Sequence, residues 1–180
     1  MERTKIKSFA SFINNLNDWM GRIVCALIIP MIAILLYEVI MRYVFDRPTV
    51  WAHETSGMLY TVYFLLGGAY TLRWGGHIQI EFLYVRFSPR TRAIVDCFTW
   101  LFFYLFCGVI LWKGIPFTWD SISVLETSST PFAPPVWPIK LFIPISALLF
   151  LLQGFVRTLE MFITAFTGQE TNLLYHRSGN

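Results

Sequence analysis

The residues best suited to chemistry in this sequence are a few carboxylates that border long apolar segments. Glu38 and Arg42 are four positions apart, which places them on one face of a helix. Glu54 opens the next apolar segment, where a helix dipole favours an acid. Such carboxylates can bind an ion or a proton, or they can be structural locks. We favour the structural role, because these carboxylates lie near arginines and at the borders of the apolar segments, not in the middle of them.

A second pair with the same spacing is predicted at the start of the third apolar segment, where Arg92 precedes Asp96. This pair also has an ion-binding and a structural interpretation. Its position near a border again favours the structural one.

Cysteines and histidines do not form a metal or haem pattern. They are Cys25, Cys97, Cys107, His53, His77 and His176. The cysteines lie in or beside apolar segments without paired spacing, which is typical of small apolar fillers. The histidines fall in different loops and in the tail, so no two can ligate one porphyrin. Since nucleophile and nucleotide-binding motifs are missing as well, we expect neither an enzyme nor a cofactor.

The composition indicates that the elements carrying these residues fold in a bilayer. Of 180 residues, 56% are hydrophobic, 18% aromatic and only 14% charged, whereas soluble domains are about 25% charged. The mean hydropathy is +0.55. The net charge of +3 is too small to suggest a nucleic-acid partner.

The apolar pattern predicts an all-α integral membrane protein with four transmembrane helices in a single membrane domain, 1–180. The predicted segments are an amphipathic interfacial helix at about 5–18, spans at about 20–45, 55–73, 92–113 and 138–166, an external proline-rich loop at 114–137, and a polar tail at 168–180. Pro30 and Pro144 lie inside spans, where neighbouring helices can satisfy the freed carbonyls. Gly67 and Gly68 predict a close helix–helix contact.

Loop charges predict the orientation. With both termini cytoplasmic, ten of the fourteen Lys and Arg residues lie on the cytoplasmic side, as the positive-inside rule requires. Five tryptophans fall at span ends: Trp19, Trp51, Trp74, Trp112 and Trp137. They are typical of anchors among membrane lipids, although contact with a partner protein is a second interpretation.

Several motifs together resemble one family. In chain order they are Glu38-x-x-x-Arg42-Tyr43-x-Phe45, Pro48-x-x-Trp51-x-x-Glu54, Gly67, Arg73-x-Gly75-Gly76-His77-Ile78-x-Ile80-Glu81 and Trp137-Pro138. Their order and the predicted topology resemble the DctQ-like, four-span small membrane subunit of tripartite ATP-independent periplasmic (TRAP) transporters. The resemblance covers about residues 19–166. Position 53 departs from it, with histidine where an acid is frequent, and Glu81 stands where aspartate is common.

The resemblance implies a non-catalytic small permease subunit in the bacterial inner membrane. Its implied partners are a large many-span permease subunit of elevator type, which moves an organic acid with sodium, and a periplasmic substrate-binding protein. The implied structural or subunit-interface residues are Glu38, Arg42, Trp51, Glu54, Arg73, His77, Glu81 and Trp137. The residues alone leave two alternatives open: a membrane anchor of a redox complex, and a small self-sufficient carrier.

Overall fold

Five helices account for most of the chain in the computed structural model, which describes residues 2–74 and 89–167. They are α1 (Glu2–Tyr43), α2 (Trp51–Arg73), α3 (Pro89–Ser123), α4 (Trp137–Lys140) and α5 (Phe142–Thr167). Within these two ranges the only extended pairing is an isolated bridge between Thr127 and Pro135. The predicted all-α class is therefore confirmed.

Three helical segments are long and apolar enough to cross a membrane, judged by length and composition. They are Ser8–Tyr43, Phe98–Ser123 and Trp137–Leu159. The predicted second span coincides with α2, whose 23 residues include several glycines, threonines and tyrosines that lower its hydropathy. The count of four spans and the cytoplasmic placement of the termini remain predictions.

The first helix is longer than the predicted first span. Residues 5–18 are helical, but they continue without a break into the span, so that α1 has 42 residues and is about 63 Å long. Its polar residues Asn14 and Asn17 do not interrupt it, because both side chains are buried against other helices. The location of this amino-terminal part at the membrane interface remains a prediction.

The third helix also continues beyond its expected end near residue 113. The loop predicted to begin at residue 114 starts as ten further helical residues, and α3 ends at Ser123. Pro116 lies inside the helix and does not end it, because a proline within an apolar helix removes only one backbone donor. The chain turns at Leu125, whose φ of 47° is left-handed.

The predicted fourth span, 138–166, is divided between the short helix α4 and α5. The helical run is interrupted at Leu141, and Pro144 lies in the first turn of α5. Proline has no N–H, so it cannot bond the carbonyl of Lys140 four residues earlier. The hydroxyl of Thr118 on α3 donates to that carbonyl at 3.0 Å. A neighbouring helix thus satisfies the freed carbonyl, as predicted.

The long helices form a row in the order α1, α2, α5 and α3, which follows from their main contacts. A glycine lies at each step of this row. A Cβ atom on Gly21 would lie 2.4 Å from the ring of Tyr70, one on Gly68 would lie 2.3 Å from Phe150, and one on Gly154 would lie 2.6 Å from Phe103. These contacts let the backbones approach closely, and they confirm the helix contact predicted at Gly67 and Gly68.

Candidate functional site

The predicted pair Glu38 and Arg42 lies at the end of α1, where the chain turns back into α2. We call this region the α1–α2 corner. Arg42 donates to Oε1 of Glu38 from Nε at 3.1 Å and from Nη2 at 2.5 Å. The other carboxylate oxygen, Oε2, accepts from the backbone N–H of Thr49 at 3.1 Å and from the Thr49 hydroxyl. Glu38 itself is buried. Both oxygens of this acid are therefore occupied by contacts within the chain.

The turn that brings Thr49 back to α1 is itself hydrogen-bonded. The N–H of Val44 donates to the carbonyl of Ile40, and the N–H of Arg47 donates to that of Met41, each at 2.9 Å. Asp46 has a left-handed φ of 52°, which short polar side chains tolerate better than most. The seven-residue reversal between Tyr43 and Trp51 is thereby anchored on Glu38.

Trp51 begins α2 beside this corner. Its ring centroid lies 5.7 Å from that of Tyr37, the residue directly before Glu38 on α1. Both rings keep a large exposed fraction. The structure thus brings Glu38, Arg42 and Trp51 together at one end of the α1–α2 pair, as a helix-joining cluster.

Glu54 and His53 lie in the first turn of α2, and they do not reach Glu38. The carboxylate of Glu54 accepts from the hydroxyl of Thr130 at 2.6 Å, which ties α2 to the segment between α3 and α4. His53 is exposed, and its carbonyl accepts from the hydroxyl of Ser56 at 2.8 Å. Glu54 therefore links two parts of the chain.

The segment between α3 and α4 is held in a defined shape by backbone bonds. The N–H of Val136 donates to the carbonyl of Glu126, and that of Ser128 donates to the carbonyl of Pro134, each at 2.9 Å. Ala133 has a left-handed φ of 46°. Trp137, a predicted site residue, follows at the start of α4 and is half-buried.

An ion pair joins this segment to α4. The Lys140 ammonium lies 2.5 Å from Oε2 of Glu126 and 4.2 Å from the ring centroid of Phe117 on α3. The hydrogen bond from Lys140 holds the pKa of Glu126 below its usual value, because it stabilises the charged carboxylate. The contact fastens the loop to the helix that follows it.

The opposite end of the bundle contains a buried polar layer that the sequence analysis missed. Asn17 on α1 donates from Nδ2 to Oε1 of Gln153 on α5 at 2.6 Å. Gln153 in turn donates from Nε2 to Oδ1 of Asn14 at 3.2 Å. All three side chains are at least 95% buried. The sequence signal for this layer was Gln153 in the middle of an apolar span. A buried amide there needs a hydrogen-bond partner, which a neighbouring helix can provide.

Arg73, another predicted site residue, belongs to the same layer. It forms an ion pair with Asp18 on α1 and donates from Nη1 to the carbonyl of Asn14 at 2.5 Å. The ring centroid of Trp74 lies 5.5 Å from its guanidinium carbon. Arg157 on α5 donates to the carbonyl of Leu72 at 3.3 Å. The two arginines thus join the carboxyl-terminal end of α2 to α1 and α5.

Some predicted residues lie outside the residues that the structure describes. They are His77 and Glu81, together with the tail at 168–180. The side chains of the predicted Arg92–Asp96 pair are likewise not described, although both residues belong to α3. Within the described ranges no group of three or more His, Cys, Asp and Glu side chains could hold a metal ion.

The outer helices of the row expose broad apolar faces. On α1 this face includes Ile29, Ile32, Leu36, Val39 and Ile40, and on α3 it includes Leu101, Phe102, Leu105, Phe106 and Trp112. Apolar faces of this size are typical of contact with lipid or with another membrane protein. The described residues therefore combine polar contacts at both ends of the helix row with exposed apolar side chains on its two outer helices.

Comparison with known proteins identifies the family of this arrangement. The family model described as "Tripartite ATP-independent periplasmic transporters, DctQ component" matches residues 31–164. The chain is also 27% identical, over 104 residues, to the sialic acid TRAP transporter permease protein SiaT of Haemophilus influenzae (strain 86-028NP). That alignment covers 58% of this chain but only 16% of the relative. Since the family model spans most of the sequence, the chain belongs to the DctQ component family of tripartite ATP-independent periplasmic transporters.

Proposed function

We propose that this chain is the non-catalytic small permease subunit of a sodium-coupled TRAP-type secondary transporter for an organic acid. In this role it scaffolds a large, elevator-type permease subunit in the bacterial inner membrane. A periplasmic substrate-binding protein delivers the acid to the assembled permease. The DctQ family match supports membership of such a transporter, and sialic acid, named for the Haemophilus relative, is one acid of the proposed class.

The observation that carries the scaffolding role is that both carboxylate oxygens of Glu38 accept hydrogen bonds from groups of the same chain. A carboxylate that binds sodium or substrate needs at least one oxygen open to its ligand. Both oxygens of Glu38 are occupied by Arg42 and Thr49. Asp18, at the other end of the bundle, is engaged by Arg73. These acids therefore support a chain that keeps its shape while a partner moves.

The exposed faces of α1 and α3 support the same proposal. A scaffold in a bilayer requires a broad apolar surface for the subunit it supports. Association between membrane helices depends on close packing and not on the exclusion of water. A rigid row of helices with apolar outer sides provides such a surface, and the remaining side can face lipid.

Reconstitution tests the proposed function. The chain, a large TRAP permease and its binding protein are purified, and uptake of labelled sialic acid or a C4-dicarboxylate into proteoliposomes is measured with an inward sodium gradient. We expect uptake only when all three are present. The two alternatives have their own readouts. Uptake by the chain alone would overturn the scaffold in favour of a carrier, and a Soret band in the purified chain would indicate a redox anchor.

A direct contact test complements the uptake assay. A photo-crosslinking amino acid is placed at Leu36 on α1 or at Phe102 on α3, both exposed, in cells that contain the large permease. We expect a crosslink to the permease from at least one of these faces. The buried position Ala69 is the matched control and should crosslink only within the chain. Absence of a permease crosslink from both exposed faces counts against the proposal.

A further inference from the structure

Apart from Trp51, which begins the helix, the exposed residues of α2 lie on one side of it. They are His53, Gly57, Tyr60, Thr61, Phe64 and Thr71. Spacings of three, four and seven positions keep residues on one side of a helix, and the half-exposed Gly67 continues the series. The buried residues of α2 lie on its other sides, where α1 and α5 pack. We call this exposed surface the α2 stripe.

The α2 stripe differs in composition from the exposed faces of the outer helices. The exposed side chains from Ile29 to Leu36 on α1, and from Leu101 to Phe106 on α3, contain no hydroxyl group. The stripe instead contains glycines, two threonines, a tyrosine and a histidine. Small residues and hydroxyl groups are enriched where membrane helices pack against each other. The stripe therefore has the composition of a contact with protein and not with lipid.

The hydroxyl of Tyr60 supports this interpretation. Tyr60 is 54% exposed, and its ring stacks on that of Phe64 with 6.3 Å between the centroids. It lies on α2 between the positions where Trp51 and Tyr70 contact α1, and α1 is apolar enough to cross a membrane over Ser8–Tyr43. Lipid tails have no hydrogen-bond acceptor at that depth, whereas a second helix has one.

A groove opens on the same stripe, between α2 and α5. Its volume is about 310 Å³, and its walls include Phe64, Gly67, Gly68, Thr71 and Phe150. The hydroxyl of Thr71 donates to the carbonyl of Gly67 at 2.9 Å, so this wall presents its methyl group and a bare backbone. A cavity of about 150 Å³ holds a benzene ring. The groove therefore has room for a bulky side chain of a neighbouring helix.

We propose that the α2 stripe binds a transmembrane helix of the large permease subunit. That helix places a bulky apolar side chain in the groove and a hydrogen-bond acceptor opposite the Tyr60 hydroxyl. The identity of the partner rests on the proposed function. In the Haemophilus relative, the region similar to this chain covers only 16% of the polypeptide, so it lies there within a much longer permease. The permease thus contacts the broad side of the helix row, and not only its outer helices.

Crosslinking tests the contact directly. A photo-crosslinking amino acid is placed at Phe64, which is 66% exposed, in cells that contain the permease and the binding protein. We expect a product with the mass of this chain plus the permease, mapped by mass spectrometry to an apolar segment of the permease. The buried Leu66 is the control and should crosslink only within the chain. A product with the mass of two copies of this chain, or crosslinks to lipid alone, would overturn the proposal.

A matched pair of glycine variants tests the contact without disturbing the fold. A Cβ atom on Gly57 of the α2 stripe, or on Gly108 of α3, would meet nothing within 4 Å, so Gly57→Leu and Gly108→Leu should keep the melting temperature of the isolated chain. We expect Gly57→Leu to lower the amount of co-purified permease about tenfold, because overpacking disrupts a close contact. Gly108→Leu should leave that amount unchanged. Equal recovery of permease with the two variants would contradict the proposal.

Tyr60→Phe tests the hydrogen bond separately, because it removes the hydroxyl and keeps the ring. We expect about a threefold loss of co-purified permease, the size of one hydrogen bond between membrane helices, with no change in the melting temperature of the isolated chain. Unchanged recovery of permease would overturn the acceptor that we assign to the partner helix.

Failure of this inference is distinguishable from failure of the proposed function. If uptake needs all three proteins while the stripe variants assemble normally and Phe64 gives no permease crosslink, only the location of the contact is wrong. If the unaltered chain does not co-purify with the permease, or transports substrate alone, the proposed function itself is wrong.

Discussion

Asn17 on α1 and Gln153 on α5 are 136 positions apart in sequence and share a hydrogen bond of 2.6 Å between fully buried side chains. The bond can form only after the first and last long helices have both been inserted and packed. It therefore reports the complete fold, not a local pair. The same layer recruits α2 through Arg73. Three helices thus depend on one buried set of polar groups.

Breaking this bond should destabilise the bundle. Gln153→Leu removes the hydrogen bonds that Gln153 makes with Asn17 and Asn14, and hydrogen bonds between membrane helices have coupling energies of about 0.6–1.7 kcal/mol. We expect a loss of that order in the free energy of unfolding, measured by denaturant titration in mixed micelles. Asn17→Leu combined with Gln153→Leu should lose less than the two single losses together. Asn15→Leu, on the exposed side of α1, should be close to neutral, and an equal loss there would contradict this interpretation.

Glu38→Ala should weaken assembly with the large permease. The substitution removes the acceptor for Arg42 and Thr49, so the α1–α2 corner loses its anchor. We expect less permease to co-purify with the tagged chain, whereas the complex that still forms should keep its apparent substrate affinity in uptake assays. Glu54→Ala, which loses a single contact with Thr130, is the matched control and should have a smaller effect. A large change in affinity with intact assembly would instead point to a role in transport chemistry.

Gly21→Ala should be disruptive, because a Cβ atom there would lie 2.4 Å from Cδ2 and 2.7 Å from Cγ of Tyr70. Cγ is only two bonds from Cα, so the contact can be relieved only by a change in the Tyr70 χ1 angle or by a shift of α2. Overpacking of this kind costs about 1–3 kcal/mol, which thermal unfolding in detergent should detect. Gly108→Ala is the control, because its Cβ would meet nothing within 4 Å. Equal stability of the two variants would show that the α1–α2 contact is looser than described.

The ion pair between Glu126 and Lys140 should make part of the stability depend on pH. The pKa of Glu126 is lowered in the folded chain, chiefly by its hydrogen bond with Lys140, from an ordinary value of 4.5. The unfolded state therefore binds a proton at higher pH than the folded state does. The stabilisation is present above pH 4.5 and is lost as the pH falls through the folded pKa.

Comparison of the unaltered protein with Glu126→Gln measures this effect. The difference in melting temperature should be constant near neutral pH and should shrink as the pH is lowered below about 4.5. Lys140→Met removes the other member of the ion pair. It should therefore reduce the pH dependence of the melting temperature as Glu126→Gln does. A difference that persists unchanged at pH 3 would exclude the ion pair as its source.

The helical class and the ion pair at the α1–α2 corner could be predicted from local patterns. Long apolar runs specify membrane helices because the backbone must satisfy its own hydrogen bonds in lipid. The i,i+4 spacing of Glu38 and Arg42 was sufficient to predict their pairing, which the structure confirms. The contribution of Thr49 could not be predicted, because it depends on the path of the turn.

Helix ends were less predictable, since the proline-rich segment 114–137 was interpreted as a loop from its first residue. Pro116 lies within α3, and the interruption near Pro144 occurs at Leu141. Whether a proline ends a helix depends on whether another group can satisfy the freed carbonyl. At Lys140 that group is the Thr118 hydroxyl, which comes from a different helix and leaves no local signal.

The sequence by itself therefore determined that the chain folds in a lipid bilayer, that it is helical and which family it resembles. These properties depend on composition, on contacts between near neighbours in the chain and on the order of short motifs. Only the tertiary structure decided the order of the helices and the partners of Asn14, Asn17, Arg73 and Gln153. Those contacts join residues 59 to 139 positions apart. Their pairing depends on which faces the packed helices present to each other, and the close glycine contacts set that geometry.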